Sequence, residues 1–364
     1  MINPSFFPSR RLAFYMVRLF VTRSLAVLVA LVLILMTLDL LGESGKILVV
    51  PGNTDADLWR YVGLRLPILF SRFLPFSVLL GTLIAFVGLN QNSEVVAMKA
   101  AGLSAHQILA PLVLASIGIA GGLFAFNELV VVNSTRAVTA WSDNDYKPVP
   151  PSSGMVSNVW VMNSDDLVHA GIAGGRPFTA ERVELFDRSG GVLQRVIRAA
   201  RAAPRPGGDW QLEDVKIYDA NMNVIRTLPR MTALGGLTPN QLTLAKVEPT
   251  ELPYWTLKKR IAELDAGGRP DDEARAGLAH KIAGPLSTLL MPLLAAVAAF
   301  GLARSGQVLL RAVVGMALGF AYFVVDNFSL AMGSAGTYPP LVAAWAPFLL
   351  FLLIGETVLI RTEE

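Results

Sequence analysis

Two carboxylates, Asp39 and Asp326, interrupt runs of sequence that are otherwise apolar. A carboxylate inside a membrane helix is costly and faces a bundle interior or a cavity. Two chemistries follow: a proton relay, or polar packing between helices with Asp326 meeting Asn327 near the outer end of its helix. Packing is the favoured reading. The histidines His106, His169 and His280 are scattered over loop, strand and helix start, without the spacing of a metal cluster. The chain has no GxxxxGK[ST] phosphate loop, so ATP hydrolysis is not expected of it, and no cofactor is expected. HExxH and GxSxG are also missing. With no cysteine, thiolate metal sites, disulfides and cysteine nucleophiles are excluded.

A different chemistry, that of docking, is suggested by residues 90–104. Ser93 is placed to cap a short helix, and Glu94 falls in its first turn, where an anion suits the helix dipole. Val95, Val96, Ala97 and Met98 give a small apolar surface, Lys99 follows, and Gly102 ends the helix. Such a helix fits a groove on a soluble partner. It is equally readable, from the residues alone, as a plain interfacial connector.

Membrane-spanning helices must position these groups. Only 16% of the 364 residues are charged and mean hydropathy is +0.51, whereas soluble domains carry about a quarter charged residues. The apolar excess lies in six runs, Ser24–Leu41, Phe73–Leu89, Ser104–Val132, Ile282–Leu302, Val308–Ser329 and Leu341–Ile360. Each reaches or approaches the roughly 20 residues that cross a ~30 Å hydrocarbon core. With the N-terminus inside, cytoplasmic segments collect Arg10, Arg11, Arg18, Arg23, Lys99, Arg304, Arg311 and Arg361. The short outer loops hold mainly Lys46 and Arg60, with Arg65 and Arg72 on the outer approach to span two. This bias orients the chain with both termini cytoplasmic and explains the net charge of +3 without nucleic acid. The first apolar run reads as a retained anchor rather than a cleaved signal. Pro67 and Pro75 predict a kink or break on entry to span two, and Trp59 and Tyr61 suit the interface.

Between the two halves the pattern turns to alternation. Asn158–Val168, Arg182–Phe186, Val192–Ile197, Trp210–Tyr218 and Val224–Thr227 read as strands separated by Gly-rich and Asp-rich turns, an all-β, jelly-roll-like insertion. After Pro253, Tyr254, Leu257, Ile261 and Leu264 recur at helical spacing opposite Lys258, Lys259 and Glu263, and Gly267-Gly268 stops the helix. The expected plan is six transmembrane helices in a three-plus-three layout: residues 1–132 as the first membrane half, with the short helix at about 92–102; 133–252 as the periplasmic β domain; 253–279 as connector helix and linker; and 280–364 as the second half.

Several motifs in this order resemble the LptF/LptG lipopolysaccharide export permease family. They are Pro75-Phe76-Ser77-Val78-Leu79-Leu80-Gly81-Thr82-Leu83, Ser93-Glu94-Val95-Val96-Ala97-Met98-Lys99-Ala100-Ala101-Gly102, and Leu237-Thr238-Pro239. His280-Lys281-Ile282-Ala283-Gly284-Pro285-Leu286, Tyr322–Phe328 and Tyr338-Pro339-Pro340 complete the set. The last-span pattern leans toward the LptG branch. The resemblance implies a bacterial inner-membrane permease subunit without catalytic activity of its own, paired with an LptF-like permease. A dimeric cytoplasmic ABC ATPase would dock through the segment matching Ser93, Glu94, Ala97, Met98, Lys99 and Gly102, with Glu94 on the family's acidic coupling residue. Lipopolysaccharide would leave the cavity between subunits for periplasmic jelly-roll bridge proteins of the LptC/LptA kind.

A lipid with several acyl chains needs an apolar cavity, for which Phe73, Phe76, Phe320 and Phe323 are candidates. Its phosphates need outer-leaflet cations, here Lys46, Arg60, Arg65 and Arg72. Each is as readily an interfacial anchor. LptG relatives often carry lysine along the outer half of the first span, where this sequence has Met36, Asp39 and Glu43. Two other classes stay open: a proton-coupled transporter acting alone through Asp39 and Asp326, and a membrane-embedded lipid-modifying enzyme. For the latter the spacing offers neither facing carboxylates nor a Ser/His pair.

Overall fold

The computed structural model describes residues 8–148, 156–163, 165–175, 177–239, 242, 247–266, 270–300 and 308–363. The chain divides into two units, one running to Val138 and resuming at Pro249, the other Thr139–Glu248.

In the first unit the apolar runs become helices longer than the runs themselves. Helix α1 spans Arg10–Val49, α2 Asp55–Gln91, the short α3 Glu94–Ala100 and α4 Ala105–Phe126. A π turn, Asn127–Val131, joins α4 to α5, Val132–Ser142. After the insertion come α6 (Tyr254–Ala266), α7 (Asp272–Phe300), α8 (Val308–Ser334) and α9 (Pro340–Glu363). Six helices among the described residues are long and apolar enough to cross a membrane, with α4, the π turn and α5 forming one of them. At 1.5 Å per residue, the 40 residues of α1 extend about 60 Å, twice the hydrocarbon thickness. Its polar ends continue the helix because nothing there breaks it: Ser9 Oγ accepts from the Leu12 N–H, and Glu43 pairs with Lys46 within the last turns.

Of the kink or break expected from Pro67 and Pro75, the break does not occur, for both lie inside one continuous helix. Proline removes one ladder bond, and in a membrane bundle neighbouring helices and hydroxyl side chains can support the freed carbonyl. Helices α1 and α2 touch backbone to backbone where Ser24 meets Gly81: a Cβ built on Gly81 would lie 2.4 Å from the Ser24 Cα. The buried core gathers Met16 and Phe20 of α1, Val78, Leu79 and Phe86 of α2, Ile108 and Leu112 of α4, and Leu290 and Leu294 of α7.

The second unit holds one six-stranded antiparallel sheet in sequence order: β1 Val156–Asn163, β2 Asp166–Gly174, β3 Thr179–Ser189, β4 Val192–Pro204, β5 Trp210–Asp219 and β6 Val224–Ala233. The inserted all-β domain is therefore present, wholly antiparallel. Asn158–Val168, expected as one strand, is instead a hairpin in which Asn163 faces Asp166, because polar residues sit where the alternation was read straight through. One face is apolar: Val159, Val168, Val183, Ile197, Leu212 and Val215 are buried together with Leu237. Trp210 is enclosed there and its Nε1–H donates to the Leu237 carbonyl at 2.6 Å, so the Leu237-Thr238-Pro239 motif closes the sheet's core. Gly267, Gly268 and Arg304 lie outside the described residues, as does the side chain of Arg311.

Candidate coupling site and intramembrane polar groups

Helix α3 is defined by its ends. Ser93 stands at the N-cap position with φ of 57°, the left-handed region, and its side chain makes no capping hydrogen bond, contrary to the expectation from sequence. Its carbonyl accepts from the Ala97 N–H at 3.0 Å. At the other end Gly102 has φ of 85°, Leu103 N–H donates to the Met98 carbonyl and Gly102 N–H to that of Lys99. This is the double-bonded glycine stop that satisfies the last carbonyls of a helix. Seven residues between two such turns cannot drift in register.

The seating of α3 corrects the apolar surface expected for Val95–Met98. Val95 and Met98, 5% and 8% exposed, point inward and join the bundle core. They are three residues apart and so share one face. Val96, Ala97, Lys99 and Ala100 are exposed, and the Lys99 ammonium lies 5.2 Å from the Phe300 ring centroid. Glu94 carries the polar edge: its carboxylate accepts from the Tyr15 hydroxyl at 3.0 Å and from the Asn92 side-chain amide at 3.4 Å. His106, at the start of α4, contacts Glu356 of α9 at 3.2 Å.

Asp39 and Asp326 are both paired. Asp39 receives Arg65 Nε at 2.9 Å and Nη2 at 3.1 Å, and the Tyr61 hydroxyl at 2.7 Å. Tyr61, placed at the interface by its type, is thus buried at the α1–α2 contact. Asp326 lies 3.0 Å from His280 Nε2 and is also bonded to Tyr322. Asn327 is not its partner: that amide donates to the Phe323 carbonyl on its own helix. Each contact ties a carboxylate to a neighbouring helix, Asp39 of α1 to α2 and Asp326 of α8 to α7.

The lipid-cavity candidates do not share one environment. Arg65 is committed to Asp39, and Lys46 pairs with Glu43 at 2.8 Å. Arg72 is exposed. Phe73 and Phe76 are half-buried, and Phe76 packs against the bundle core. Phe320 and Phe323 of α8 are 61% and 43% exposed, beside exposed Val324 and Phe328.

Sequence reasoning missed a cluster around Glu128, in the π turn. Its carboxylate accepts from Lys281 Nζ of α7 at 3.0 Å and from the Tyr254 N–H that opens α6. Both side chains of the ion pair are largely enclosed. An anion at a helix N-terminus also meets its positive dipole end. Nearby, Arg136 Nη2 donates to the Glu251 carbonyl at 2.7 Å, and Ser71 Oγ donates to the Asn127 side chain. A signal existed: Glu128 is a third carboxylate inside an apolar run, and Lys281 stands within the motif at His280–Leu286.

Comparison with known proteins agrees with this architecture. The family model described as "Lipopolysaccharide export system permease LptF/LptG" matches residues 14–361. The lipopolysaccharide export system permease protein LptG of Escherichia coli (strain K12) is 26% identical over 358 residues, covering 93% of this chain and 94% of that protein. Its namesake from Haemophilus influenzae is 24% identical over 330 residues, covering 86% and 89%.

Proposed function

Because the chain belongs to the LptF/LptG family of lipopolysaccharide export permeases, we propose that it is the LptG-like half of an ATP-driven exporter that draws lipopolysaccharide from the inner membrane. As a multi-pass permease of that family it is a transporter subunit rather than a catalytic enzyme. Its N- and C-termini face the cytoplasm and its β domain the periplasm. A homologous LptF-like permease covers the apolar faces left exposed on α1 and α8, where Val29, Leu33, Phe320 and Val324 stand outward. Between the two subunits lies the cavity for lipid. A dimeric cytoplasmic ABC ATPase binds and hydrolyses ATP, and the β domain passes lipid to LptC/LptA-like jelly-roll bridge proteins.

The observation that carries ATPase coupling is the build of α3. It is a one-register helix between two left-handed turns, anchored from below by Val95 and Met98. Glu94, Val96, Ala97 and Ala100 are left along its outer side. An anchored helix transmits a push into the bundle; a loosely held loop absorbs it. Two intramembrane carboxylates already paired with Arg65 and His280 favour this reading over proton-driven transport. The test is affinity purification of the full-length protein from native membranes under mild detergent, with mass spectrometry of what accompanies it. An ABC ATPase and a second six-span permease are expected in stoichiometric amount, and the Glu94→Lys variant is expected to insert normally yet lose most of the ATPase. Recovery of the chain alone, or full ATPase recovery with Glu94→Lys, refutes the coupling role.

A further inference from the structure

Tyr15 lies 79 residues from Glu94 in sequence, near the start of α1. Its hydroxyl donates to Glu94 Oε2 at 3.0 Å and lies 3.3 Å from Oε1, so it straddles the carboxylate. Met16 and Phe20 of α1 belong to the same buried cluster as Val95 and Met98 of α3. The first turns of α1 are therefore tied to α3 by one polar clasp at the rim, above a bundle core to which both helices contribute side chains. We infer that Tyr15 is a positioning residue for Glu94, and that through it α1 moves with α3 when the ATPase closes. This rests on the reading of Glu94 as the coupling residue.

The physical case begins with the freedom of a glutamate. At the first turn of a seven-residue helix it has three χ angles to order, and the Asn92 side-chain amide reaches it only at 3.4 Å. A docking carboxylate that must first be ordered costs side-chain entropy on every binding event. Tyrosine, with two χ angles and a large ring, is a stiff donor, and both Tyr15 and Glu94 keep part of their surface exposed. The second half of the inference follows from continuity. Helix α1 runs unbroken from Arg10 to Val49. A displacement at Tyr15 is therefore delivered to Asp39, which Arg65 and Tyr61 tie to α2.

The test is a double-mutant cycle in the full permease–ATPase complex, with Tyr15→Phe, Glu94→Ala and the pair. Phenylalanine keeps the ring and its packing, so the thermal midpoint of Tyr15→Phe should match that of the unchanged protein. ATPase retained on the purified permease should fall roughly two- to tenfold in Tyr15→Phe, the factor matching one hydrogen bond, and lipid extracted per ATP should fall with it. In the Glu94→Ala background Tyr15→Phe should add nothing. Equal losses in both backgrounds would mean a structural role independent of Glu94 and overturn the proposal. Loss in Glu94→Ala with none in Tyr15→Phe overturns the role of Tyr15 alone. Unchanged docking in Glu94→Ala overturns the coupling reading and the proposal with it.

Discussion

Removing the Glu128 carboxylate, as in Glu128→Ala, strands a charge. Lys281 keeps only 13% of its side chain exposed and Glu128 15%, at an N–O separation of 3.0 Å. At that distance and an effective dielectric near 20, their attraction is roughly 5 kcal/mol, against which both desolvation costs stand. The pair's net worth is therefore small, yet breaking it from one side costs about 3–5 kcal/mol because the surviving ammonium stays enclosed without a partner. The Tyr254 N–H loses its acceptor too, which adds at most about 1–3 kcal/mol if water cannot replace it. Taking the ion-pair term alone, and about 2–4 °C per kcal/mol, the thermal midpoint should drop by about 6–20 °C. The assay is thermal unfolding of the purified full-length protein in detergent, followed by tryptophan fluorescence. Replacing both partners, Glu128→Leu with Lys281→Met, should recover more than half of the loss, since no buried charge remains. A drop below about 2 °C in Glu128→Ala, or a double variant whose loss equals the sum of the singles, would refute the reasoning.

Close packing makes a second prediction: Gly81→Val should push α1 from α2, because its Cβ would lie 2.4 Å from backbone atoms of Ser24. At about 1–3 kcal/mol or more, the thermal midpoint should fall, whereas Gly88→Ala, with nothing within 4 Å of its Cβ, should be neutral or mildly stabilising. Third, if Asp39 and Asp326 only tie helices, the combination Asp39→Asn, Arg65→Gln and Asp326→Asn should retain lipopolysaccharide export in reconstituted vesicles supplied with ATPase and partner. Abolished export by a folded variant would point to proton coupling. Fourth, the exposed Phe320 and Phe323 should cross-link to a partner permease when replaced by a photoreactive residue, while half-buried Phe76 should give far less product. Equal yields at all three positions would argue against a partner on the α8 face.

Six apolar runs were legible because the hydrocarbon core imposes a length and composition that no packing detail can hide. The ends of the helices were not. Arg10 and Asp55 begin helices that hydropathy started a dozen residues or more later, since water and headgroups tolerate polar turns of helix that hydropathy discounts. The position of α3 followed from Glu94 and Gly102, but its inward face was misassigned: four apolar residues in a row do not say which two, here Val95 and Met98, find the core. Pairings across long separations were invisible for a plainer reason. Glu128 with Lys281, Asp326 with His280 and Tyr15 with Glu94 depend on which helices are neighbours and at what rotation. A single sequence contains the partners without their angular phase.

Angular phase also gives the π turn at Asn127–Val131 a meaning of its own. In a regular α-helix the eight positions from Glu128 to Arg136 amount to about 80° of net rotation, and the two side chains would diverge. A π turn accommodates one surplus residue, so the effective separation is seven positions and the divergence shrinks to about 20°. Glu128 and Arg136 consequently reach the same stretch of chain, the Tyr254 N–H and the Glu251 carbonyl. The surplus residue is slack. A chain one residue shorter within Leu129–Val131 would wind as an ordinary α-helix and still present both groups on the same side, so at this point of the membrane half it is the phase of Glu128 and Arg136, and not the residue count between them, that has to be kept.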